Sequence, residues 1–474
     1  MSKKTSIALS LVLCAGAAAQ TSTLPVLGYA KTSVNTVVFR GNSVATFGQT
    51  QYTAYYDGDG KVILAKRTLG STDWTTKTTQ HTGAVADAHN SISIEVDGDG
   101  FLHMAWNTHS NALKYCKGAA PGSLEMGSNM AMVGTNEANV TYPQFFRRPN
   151  GDLLFFYRDG ASGNGNLMVN KYDTKARQWT RLQSNLIAGE GTRNAYWQAH
   201  QDRNGVIHVG WVWRETSDVS TNHDQCYARS EDGGVTWKTS SGAVYTLPIK
   251  AANAEYVYRI AQKSDLINQT SIFGDEKSRP YIATYWTPAG TGIPQYHLIY
   301  NLGGGWQHMQ ITKRTTAYSL SGGGTKQIPF SRPQVVVDGS KDSIGVYMVY
   351  RDVERGSKVS LARTSNLGYT PWTFSDLTSH TVNYWEPSYD VDLWNASNTL
   401  NVFVQNSMQG DGETTVEIDP QPVSILEWKP GSGTVVVAPR KAATVSGGSV
   451  PGSFDMLGRD AKASTAGGVV VSGG

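Results

Sequence analysis

The chain has 474 residues, of which 17% are charged, with 41 Lys and Arg against 38 Asp and Glu. Without Lys3 and Lys4, which lie in a predicted leader, 39 basic residues face 38 acidic ones, so charge gives no basis for a nucleic-acid or anionic-membrane partner. The 23 Tyr, 13 Trp and 50 Gly are typical of extracellular β proteins that stack aromatic rings on sugars, although most of these rings are expected to fill a β core.

Residues 1–19 form a predicted secretory signal peptide, because the two lysines precede the apolar run SIALSLVLCAGAAA and small residues lead to Gln20. Leu13, not a small residue, precedes Cys14, which disfavours a lipoprotein anchor. No other apolar run approaches the length of a membrane span. We therefore expect a secreted or cell-surface protein.

One strand-rich pattern recurs from residue 45 to 430: a polar turn, a run of alternating apolar residues, and a second strand ending near Lys, Arg or Tyr. The seven units are residues 51–67, 100–116, 151–172, 205–230, 279–301, 343–363 and 399–418. Regular units of this kind, without amphipathic helices between them, predict an all-β, seven-bladed β-propeller with four-stranded antiparallel blades over residues 20–430.

The segment SEDGGVTW, residues 230–237, matches the Asp-box pattern S-x-D-x-G-x-T-W. In this turn the Asp carboxylate caps backbone amides and the Trp packs into the blade, so the motif supports the fold and says nothing about the reaction. The two cysteines outside the leader, Cys116 and Cys226, lie at similar points of non-adjacent units and are expected as buried thiols rather than a disulfide.

Residues 431–474 are rich in Pro, Gly, Ser and Ala, which predicts a linker followed by a short C-terminal tail. The piece FDMLGR followed by VVV resembles the last part of C-terminal sorting domains that some Gram-negative bacteria use for export to the cell surface. An unstructured tail is the alternative.

Four polar side chains are the first site candidates. His89 and His109 flank a predicted hairpin whose open ends meet, and Tyr142 and Arg158 flank the next one. All four therefore come from one edge of two adjacent hairpins. Each also has a structural alternative, as a hydrogen-bonded histidine, a tyrosine closing a blade edge or an arginine paired with an acid; His103, inside a strand, is expected in the core.

Further candidates for substrate binding lie at the hairpin ends of the next unit, with one more beside His89. They are Asn90, Asn194, Tyr196, Gln198, Trp213, Arg214, Asn222 and His223. Trp211 and Trp213 alternate with Val212, so one of them must belong to the core.

Metal sites are alternatives that the sequence does not require. His208, His223 and Cys226 are of the types that bind zinc, but their spacing matches no standard zinc pattern. The DGDG turns at 57–60 and 97–100 carry acids that could attract calcium, and as hairpin turns they need no ion. We expect no required cofactor.

Several segments together resemble the BNR-repeat propeller polysaccharide lyases, the group that includes ulvan lyases and rhamnose–glucuronate lyases. The segments are HNSISIEVDGDGFLHMAWNTHSN, TYPQFFRRPNGDLLFFYRDGASGNGNL, RNAYWQAHQDRNGVIHVGWVWRETSDVSTNH and the Asp-box. The resemblance implies a seven-bladed propeller whose central cleft is lined by a His pair, a Tyr and an Arg. His89, His109, Tyr142 and Arg158 lie at the family's spacing.

The same four residues suit β-elimination on a uronic acid, which removes the C5 proton and expels the oxygen at C4. Arg158 can grip the carboxylate with two bonds while His109 donates another. Tyr142 is the expected base, because a nearby guanidinium favours the phenolate, and Tyr142 or His89 returns a proton to the leaving oxygen. The expected substrate is an acidic polysaccharide cleaved at a rhamnosyl-(1,4)-glucuronate linkage.

Two other functions remain open from the sequence. A sialidase-like glycoside hydrolase would need a Tyr–Glu nucleophile pair and three arginines converging on a carboxylate, for which Arg158, Arg259 and Arg332 are available. A non-catalytic sugar-binding propeller would repeat its aromatic pockets in every blade, whereas the polar candidates here concentrate between residues 85 and 225. Whatever the function, we expect a monomer.

Overall fold

The computed structural model describes residues 19–340, 343–367 and 371–431. The predicted signal peptide, except for residue 19, and the predicted tail, except for residue 431, lie outside these described residues. No helix within the described ranges is long and apolar enough to cross a membrane.

The described chain consists almost entirely of β-strands. In chain order they are β1 Gln20–Thr23, β2 Val44–Phe47, β3 Thr50–Tyr56, β4 Lys61–Thr68, β5 Thr75–Thr82, β6 Ser93–Val96, β7 Leu102–Ala105, β8 His109–Asn111, β9 Tyr115–Lys117, β10 Val140–Arg147, β11 Leu153–Ala161, β12 Asn164–Asp173, β13 Gln178–Ile187, β14 Asn194–Gln201, β15 Ile207–Arg214, β16 Asn222–Ser230, β17 Glu255–Tyr258, β18 Ser271–Gly274, β19 Pro280–Trp286, β20 Gln295–Asn301, β21 Trp306–Gln310, β22 Gln334–Asp338, β23 Gly345–Tyr350, β24 Ser360–Thr364, β25 Thr373–Asp376, β26 Leu400–Gln405 and β27 Val423–Trp428. The helices are short: two 3-10 turns, Val219–Thr221 and Val353–Arg355, and one α-helix, α1, Val391–Ser397.

These strands form successive antiparallel sheets in which sequence neighbours pair. Four-stranded sheets contain β2–β5, β18–β21 and β22–β25, and a three-stranded sheet contains β6, β7 and β9. Strands β8 and β10–β17 form one nine-stranded sheet, in which β12 and β14 touch through a single parallel contact between Gly165 and Asn194. The first strands of neighbouring sheets lie against one another, as β2 does against β6 and β18 against β22.

The two ends of the described chain meet in one sheet. Strand β1 pairs antiparallel with β27, from Gln20 opposite Glu427 to Thr23 opposite Ser424, and β27 pairs in turn with β26. The N-terminal strand therefore completes a sheet that is otherwise built from the C-terminal part.

Six of the seven predicted units each contain a pair of neighbouring antiparallel strands, from β3–β4 to β23–β24. The prediction for the last unit is wrong in its second strand, because residues 413–419 form no strand and β27 takes that place beside β26. Strands sandwiched between neighbouring sheets are buried on both faces, as all eight residues of β15 and all seven of β19 show.

The predicted Asp-box turn is confirmed by its hydrogen bonds. Asp232 Oδ1 accepts from the Val235 and Thr236 amides, and Oδ2 accepts from the Thr236 hydroxyl at 2.6 Å. Trp237 is completely buried and donates its indole N–H to the Gly234 carbonyl at 3.0 Å. The turn thereby anchors the outer end of β16 to the core.

The DGDG turns close on themselves. Asp57 and Asp97 each accept, through Oδ1, from the backbone amides two and four residues along the chain. The other oxygen of Asp97 meets His103 Nε2 at 3.1 Å, and His103 Nδ1 meets the Tyr115 hydroxyl at 2.7 Å. His103 is fully buried, as predicted, and Asp97 has protein partners for both oxygens.

Both cysteines in the described ranges are free and buried, which confirms the prediction of two thiols. Burial raises the pKa of Cys116 to about 12 and that of Cys226 well above its usual value. These thiols therefore contribute as small apolar groups of the core.

We predict that Trp237→Ala lowers the free energy of unfolding by about 3–5 kcal/mol, because it removes a buried indole and leaves a cavity. The measurement is denaturant or thermal unfolding followed by circular dichroism. Val235→Ala, in the same turn but 55% exposed, is the matched control and is expected to change stability by less than about 0.5 kcal/mol. Equal effects of the two substitutions would contradict an anchoring role for the indole.

Candidate active site

One cavity of about 300 Å³ has His89, His109, Tyr142 and Arg158 in its wall. His89 lies in the turn before β6, His109 begins β8, Tyr142 lies near the start of β10, and Arg158 lies near the end of β11. Since β8, β10 and β11 are hydrogen-bonded neighbours, their side chains meet at one edge of the sheet. The structure thus brings the four candidates together, and their catalytic roles stay predictions.

Asp87 binds both histidines. Its Oδ1 lies 2.9 Å from His89 Nδ1 and its Oδ2 lies 2.5 Å from His109 Nδ1. The two imidazole rings are stacked with their centroids 3.9 Å apart and their planes 14° apart. The shared carboxylate fixes the orientation of both rings.

The charges in this cluster stabilise one another. Burial lowers the pKa of His89, but hydrogen bonds to Asp87 and Glu413 outweigh it and the pKa is raised. Burial raises the pKa of Asp87, but hydrogen bonds from His109 and His89 outweigh it and hold that pKa well below its usual range. Glu413 reaches His89 Nδ1 at 3.3 Å from the loop before β27.

Tyr142 has an unusual backbone. Its φ of 60° lies in the left-handed region although Pro143 follows, and the β10–β11 register shifts between Thr141 and Gln144. A residue held there costs about 1–3 kcal/mol and marks a position that the surroundings must enforce. The ring packs edge-on against Phe39 with centroids 5.0 Å apart, which places it in the cavity wall.

Arg158 is buried beside Tyr142. Its Nη2 donates to the Ser110 hydroxyl at 3.1 Å and to the Thr141 hydroxyl at 2.9 Å, and its guanidinium carbon lies 4.9 Å from the centre of the Tyr142 ring. Among the residues that the structure describes, no carboxylate forms an ion pair with Arg158, and its Nε has no hydrogen-bond partner. The cavity wall therefore carries an uncompensated positive charge.

Arg214 carries a second uncompensated positive charge in the cavity wall. Its Nη1 donates to the Tyr196 hydroxyl at 3.0 Å, its Nη2 to Asn268 Oδ1 at 3.0 Å and its Nε to Asn222 Oδ1 at 2.9 Å. None of these partners is charged when Tyr196 is a neutral phenol, and no ion pair joins Arg214 to a carboxylate in the described ranges. Tyr196 also exchanges a hydrogen bond with Ser162 Oγ at 2.8 Å.

The two cavity phenols have opposite pKa shifts. Burial and the neighbouring Tyr196 raise the pKa of Tyr142 more than the arginines lower it. At Tyr196 burial is outweighed by Arg214 and Arg158, and the pKa falls to about 8. The expectation of a lowered pKa at Tyr142 is therefore wrong, because desolvation exceeds the effect of Arg158, and the lowered pKa belongs to Tyr196.

The third cavity arginine is neutralised. Arg332 lies 2.5 Å from Glu386 through Nη2 and Oε2, with a second contact from Nε to Oε1 at 2.8 Å. Arg259, by contrast, does not line the cavity; its side chain is 68% exposed and bonds Asp224 at 2.9 Å. Arg158, Arg259 and Arg332 therefore do not converge on one cavity, as a sialidase would require.

Of the other substrate-binding candidates, Tyr196 and Arg214 line the cavity, and Asn90, Asn194 and Gln198 do not. Asn90 is 5% exposed and donates to the Ala84 carbonyl, which fixes the turn before β6. Asn194 is buried, with 1% of its surface exposed. Gln198 points into a smaller neighbouring cavity of about 50 Å³ and donates to the Val38 carbonyl.

Trp213, Asn222 and His223 do not line the cavity either. Both Trp211 and Trp213 are completely buried, so the core holds the two rings rather than one. Asn222 is 1% exposed; its Oδ1 accepts from Arg214 and its Nδ2 donates to the Leu266 carbonyl. His223 lies outside the cavity wall between Glu215, at 2.9 Å, and Asp224, at 3.1 Å.

Within the described residues, the zinc candidates His208, His223 and Cys226 do not come together as a group of potential ligands. His208 is occupied by Asp202 and the Tyr227 hydroxyl, and His223 has its own acidic partners. Within the described residues, the group of three potential ligands that lies close together is instead Asp87, His89 and His109, within 4.8 Å of one another. There both Nδ1 atoms already face a carboxylate oxygen, so an ion would have to replace these hydrogen bonds.

Sequence reasoning missed Asp87, Phe39, Ser162 and Glu413. Asp87 lies two residues before His89, a spacing at which a carboxylate can reach the imidazole, and this was the available signal. Phe39 stacks on His89 with centroids 5.0 Å apart but comes from a segment outside the predicted units. For Ser162 and Glu413 no signal stands out from the surrounding loops.

The described chain forms successive antiparallel sheets, and a polar cavity lies at the strand ends, an arrangement typical of β-propellers. Residues 50–314, more than half of the chain, match the profile described as "BNR repeat-containing family member". The chain belongs to the BNR repeat-containing family.

Ulvan lyases are among the proteins similar to this chain, which confirms the resemblance seen in the sequence. The long isoform from Alteromonas sp is 23% identical over 340 residues, covering 53% of this chain and 34% of that protein. The short isoform from Alteromonas sp. (strain LOR) is 30% identical over 146 residues, covering 29% and 27%. The chain therefore matches about a third or less of the length of these curated relatives.

Solved structures share the fold. The polysaccharide lyase Uly1 superposes with a TM-score of 0.60 at 16% identity, covering 83% of this chain and 90% of that one. An ulvan lyase bound to -[GlcA(1-4)Rha3S]- superposes with a TM-score of 0.57 at 13% identity, covering 84% and 98%.

We predict that Asp87→Asn lowers the melting temperature most between about pH 4 and pH 6.5, the ordinary pKa values of Asp and His. The lowered pKa of Asp87 contributes stability that is lost as pH falls through it, and the raised pKa of His89 contributes stability that is lost as pH rises through it. The difference from the wild type should therefore shrink above the raised pKa of His89. A difference that stays constant from acid to alkaline pH would contradict the charged pair.

Proposed function

We propose that this protein is a polysaccharide lyase that cleaves a uronic-acid polymer by β-elimination. The observation that carries the proposal is the pair of buried guanidiniums, Arg158 and Arg214, which form no ion pair with a carboxylate of the described chain and line one cavity with two phenols. Buried charges are normally compensated, so the cavity suits an anionic group of a ligand. A uronate carboxylate next to the reacting carbon is such a group.

The cavity supplies what the elimination requires. The Arg158 guanidinium, in the cavity wall, stabilises the negative charge that grows beside the carboxylate when the C5 proton leaves. His109, fixed by Asp87, donates a further hydrogen bond, and Tyr142 and Tyr196 exchange protons with the substrate. This chemistry requires no metal or other cofactor.

The proposed substrate is an acidic polysaccharide with a rhamnosyl-(1,4)-glucuronate linkage. The named activity of the ulvan lyase relatives and the -[GlcA(1-4)Rha3S]- ligand of one structural neighbour support this choice. We also propose seven blades, because the nine-stranded sheet divides at the Gly165–Asn194 contact into two four-stranded sets, β10–β13 and β14–β17, with the short strand β8 added at the β10 edge. The leader-like residues 1–19 support action outside the cell membrane.

The experiment is to incubate the purified chain with ulvan and, separately, with a rhamnose-capped arabinogalactan. Elimination creates a C4–C5 double bond, so the ultraviolet absorbance of an unsaturated uronate should rise with one of the two polymers. Ulvan whose carboxyl groups have been reduced to alcohols is the matched control and should give no rise. Sugar release without the absorbance would show hydrolysis and overturn the proposal.

We predict that Arg158→Met lowers kcat by about 10²–10³, the usual effect of removing one charge-stabilising donor. Arg259→Met is the control, since Arg259 lies outside the cavity wall and its loss should leave turnover near that of the wild type. Initial rates of unsaturated uronate formation give both values. A loss of the same size at Arg259 would contradict the assignment of the cavity as the active site.

A further inference from the structure

We propose that the two cavity tyrosines divide the proton transfers, with Tyr196 as the base that removes the C5 proton and Tyr142 as the acid that protonates the leaving oxygen. This inference rests on the proposed elimination and assigns its two proton-transfer groups. It differs from the sequence-based expectation that Tyr142 is the base.

The surroundings of Tyr196 favour its charged form. The hydroxyl oxygen lies 3.0 Å from Arg214 Nη1 and 2.8 Å from Ser162 Oγ, and a phenolate can accept from both. The Arg214 guanidinium carbon also lies 4.4 Å from the centre of the Tyr196 ring. Arg214, Arg158 and His89 favour the phenolate of Tyr196 and outweigh its burial, so its pKa falls to about 8, and the neighbouring phenol Tyr142 interacts with it electrostatically.

Neutral partners keep the charge of Arg214 available. Its Nε and Nη2 donate to the amide oxygens of Asn222 and Asn268, so these N–H groups are satisfied without a carboxylate. Asn222 is fixed in turn by donating to the Leu266 carbonyl at 2.9 Å. An acid at either position would pair with Arg214 and cancel the charge that Tyr196 requires.

Tyr142 is in the opposite situation. It is 5% exposed, packs edge-on against Phe39 and Tyr196, and has no direct hydrogen bond from a cation in the described chain. Arg158, Arg214 and Arg332 act on it from a distance, and burial together with Tyr196 outweighs them, so its pKa is raised. Tyr142 therefore keeps its proton when Tyr196 has lost one, and two groups whose environments separate their pKa values are suited to be base and acid.

The proton transfers balance within the pair. The Tyr196 oxygen takes the C5 proton, the electrons of that C–H bond form the C4–C5 double bond, and the C4–O bond breaks. The Tyr142 hydroxyl gives its proton to the departing oxygen. Tyr196 then ends as a phenol and Tyr142 as a phenolate, and transfer of one proton from Tyr196 to Tyr142 after product release restores the starting state.

The first test separates the acid from the base by the need for leaving-group protonation. We compare Tyr142→Phe and Tyr196→Phe on the natural polymer and on a glucuronide that carries a nitrophenyl ether at C4, whose nitrophenolate leaves without a proton. On the polymer, kcat of both variants should fall by a factor of about 10²–10⁴. On the nitrophenyl substrate Tyr142→Phe should recover to within about tenfold of the wild type, while Tyr196→Phe should remain impaired.

Any other pattern overturns the assignment. If only Tyr196→Phe recovered its turnover on the nitrophenyl substrate, the two roles would be reversed. If both variants or neither recovered, the two tyrosines would not be a separate base and acid. Melting temperatures of the two variants show that each is folded. Failure of the wild type to form unsaturated uronate from any polymer is a separate result, which would reject the proposed elimination itself.

The second test examines whether the charge of Arg214 lowers the pKa of Tyr196, by substituting Asn222, the hydrogen-bond partner of Arg214. We expect kcat/KM of the wild type to rise with pH up to about 8, as Tyr196 ionises. Asn222→Asp places a carboxylate beside Arg214 and should move this rise upward by about 1–3 pH units. Asn222→Ala removes the same hydrogen bond without adding charge, so the rise should stay near its wild-type pH. An unmoved rise in Asn222→Asp would overturn the role of Arg214.

Discussion

Two buried positive charges that pair with no carboxylate of the described chain are the constraint around which the cavity is built. Arg158 is held by the hydroxyls of Ser110 and Thr141, and Arg214 by two asparagines and Tyr196. Because these neutral acceptors fix the guanidiniums without cancelling their charge, the cavity favours anions and shifts the ionisation of its phenols. Arg332, paired with Glu386, shows the alternative of a buried arginine that is neutralised locally.

The fold could be predicted well from the sequence because its signals are local. Each hairpin unit contains its own polar turn and apolar alternation, and the open ends of the successive hairpins β6–β7 and β10–β11 face the same cavity although the hairpins belong to different sheets. His89, His109, Tyr142 and Arg158 could therefore be grouped from sequence spacing alone. The last unit failed because the loop between β26 and β27 is long, so alternation over 413–419 imitated a strand.

Asn194 and Gln198, which the sequence offered as substrate-binding residues, lie outside the cavity wall for one reason. Alternation shows that Asn194, Tyr196 and Gln198 share one face of β14, but not how far along that face the cavity extends, and Tyr196 alone reaches it. The pKa error at Tyr142 has a different origin, since its distance in sequence from Arg158 says nothing about how deeply the phenol is buried. Burial and long-range partners such as Glu413 are properties of the folded chain.

The pairing of β1 with β27 has a consequence for how the chain reaches its folded state. Residues 20–23 are synthesised early, yet their partners at 424–427 are separated from them by nearly the whole described chain. Contacts between such distant segments form slowly because of the entropy of loop closure, so we expect this sheet to form late in folding. Until then one edge of β27 lacks this neighbour, so correct assembly depends on β1 reaching that edge before another chain's strand does.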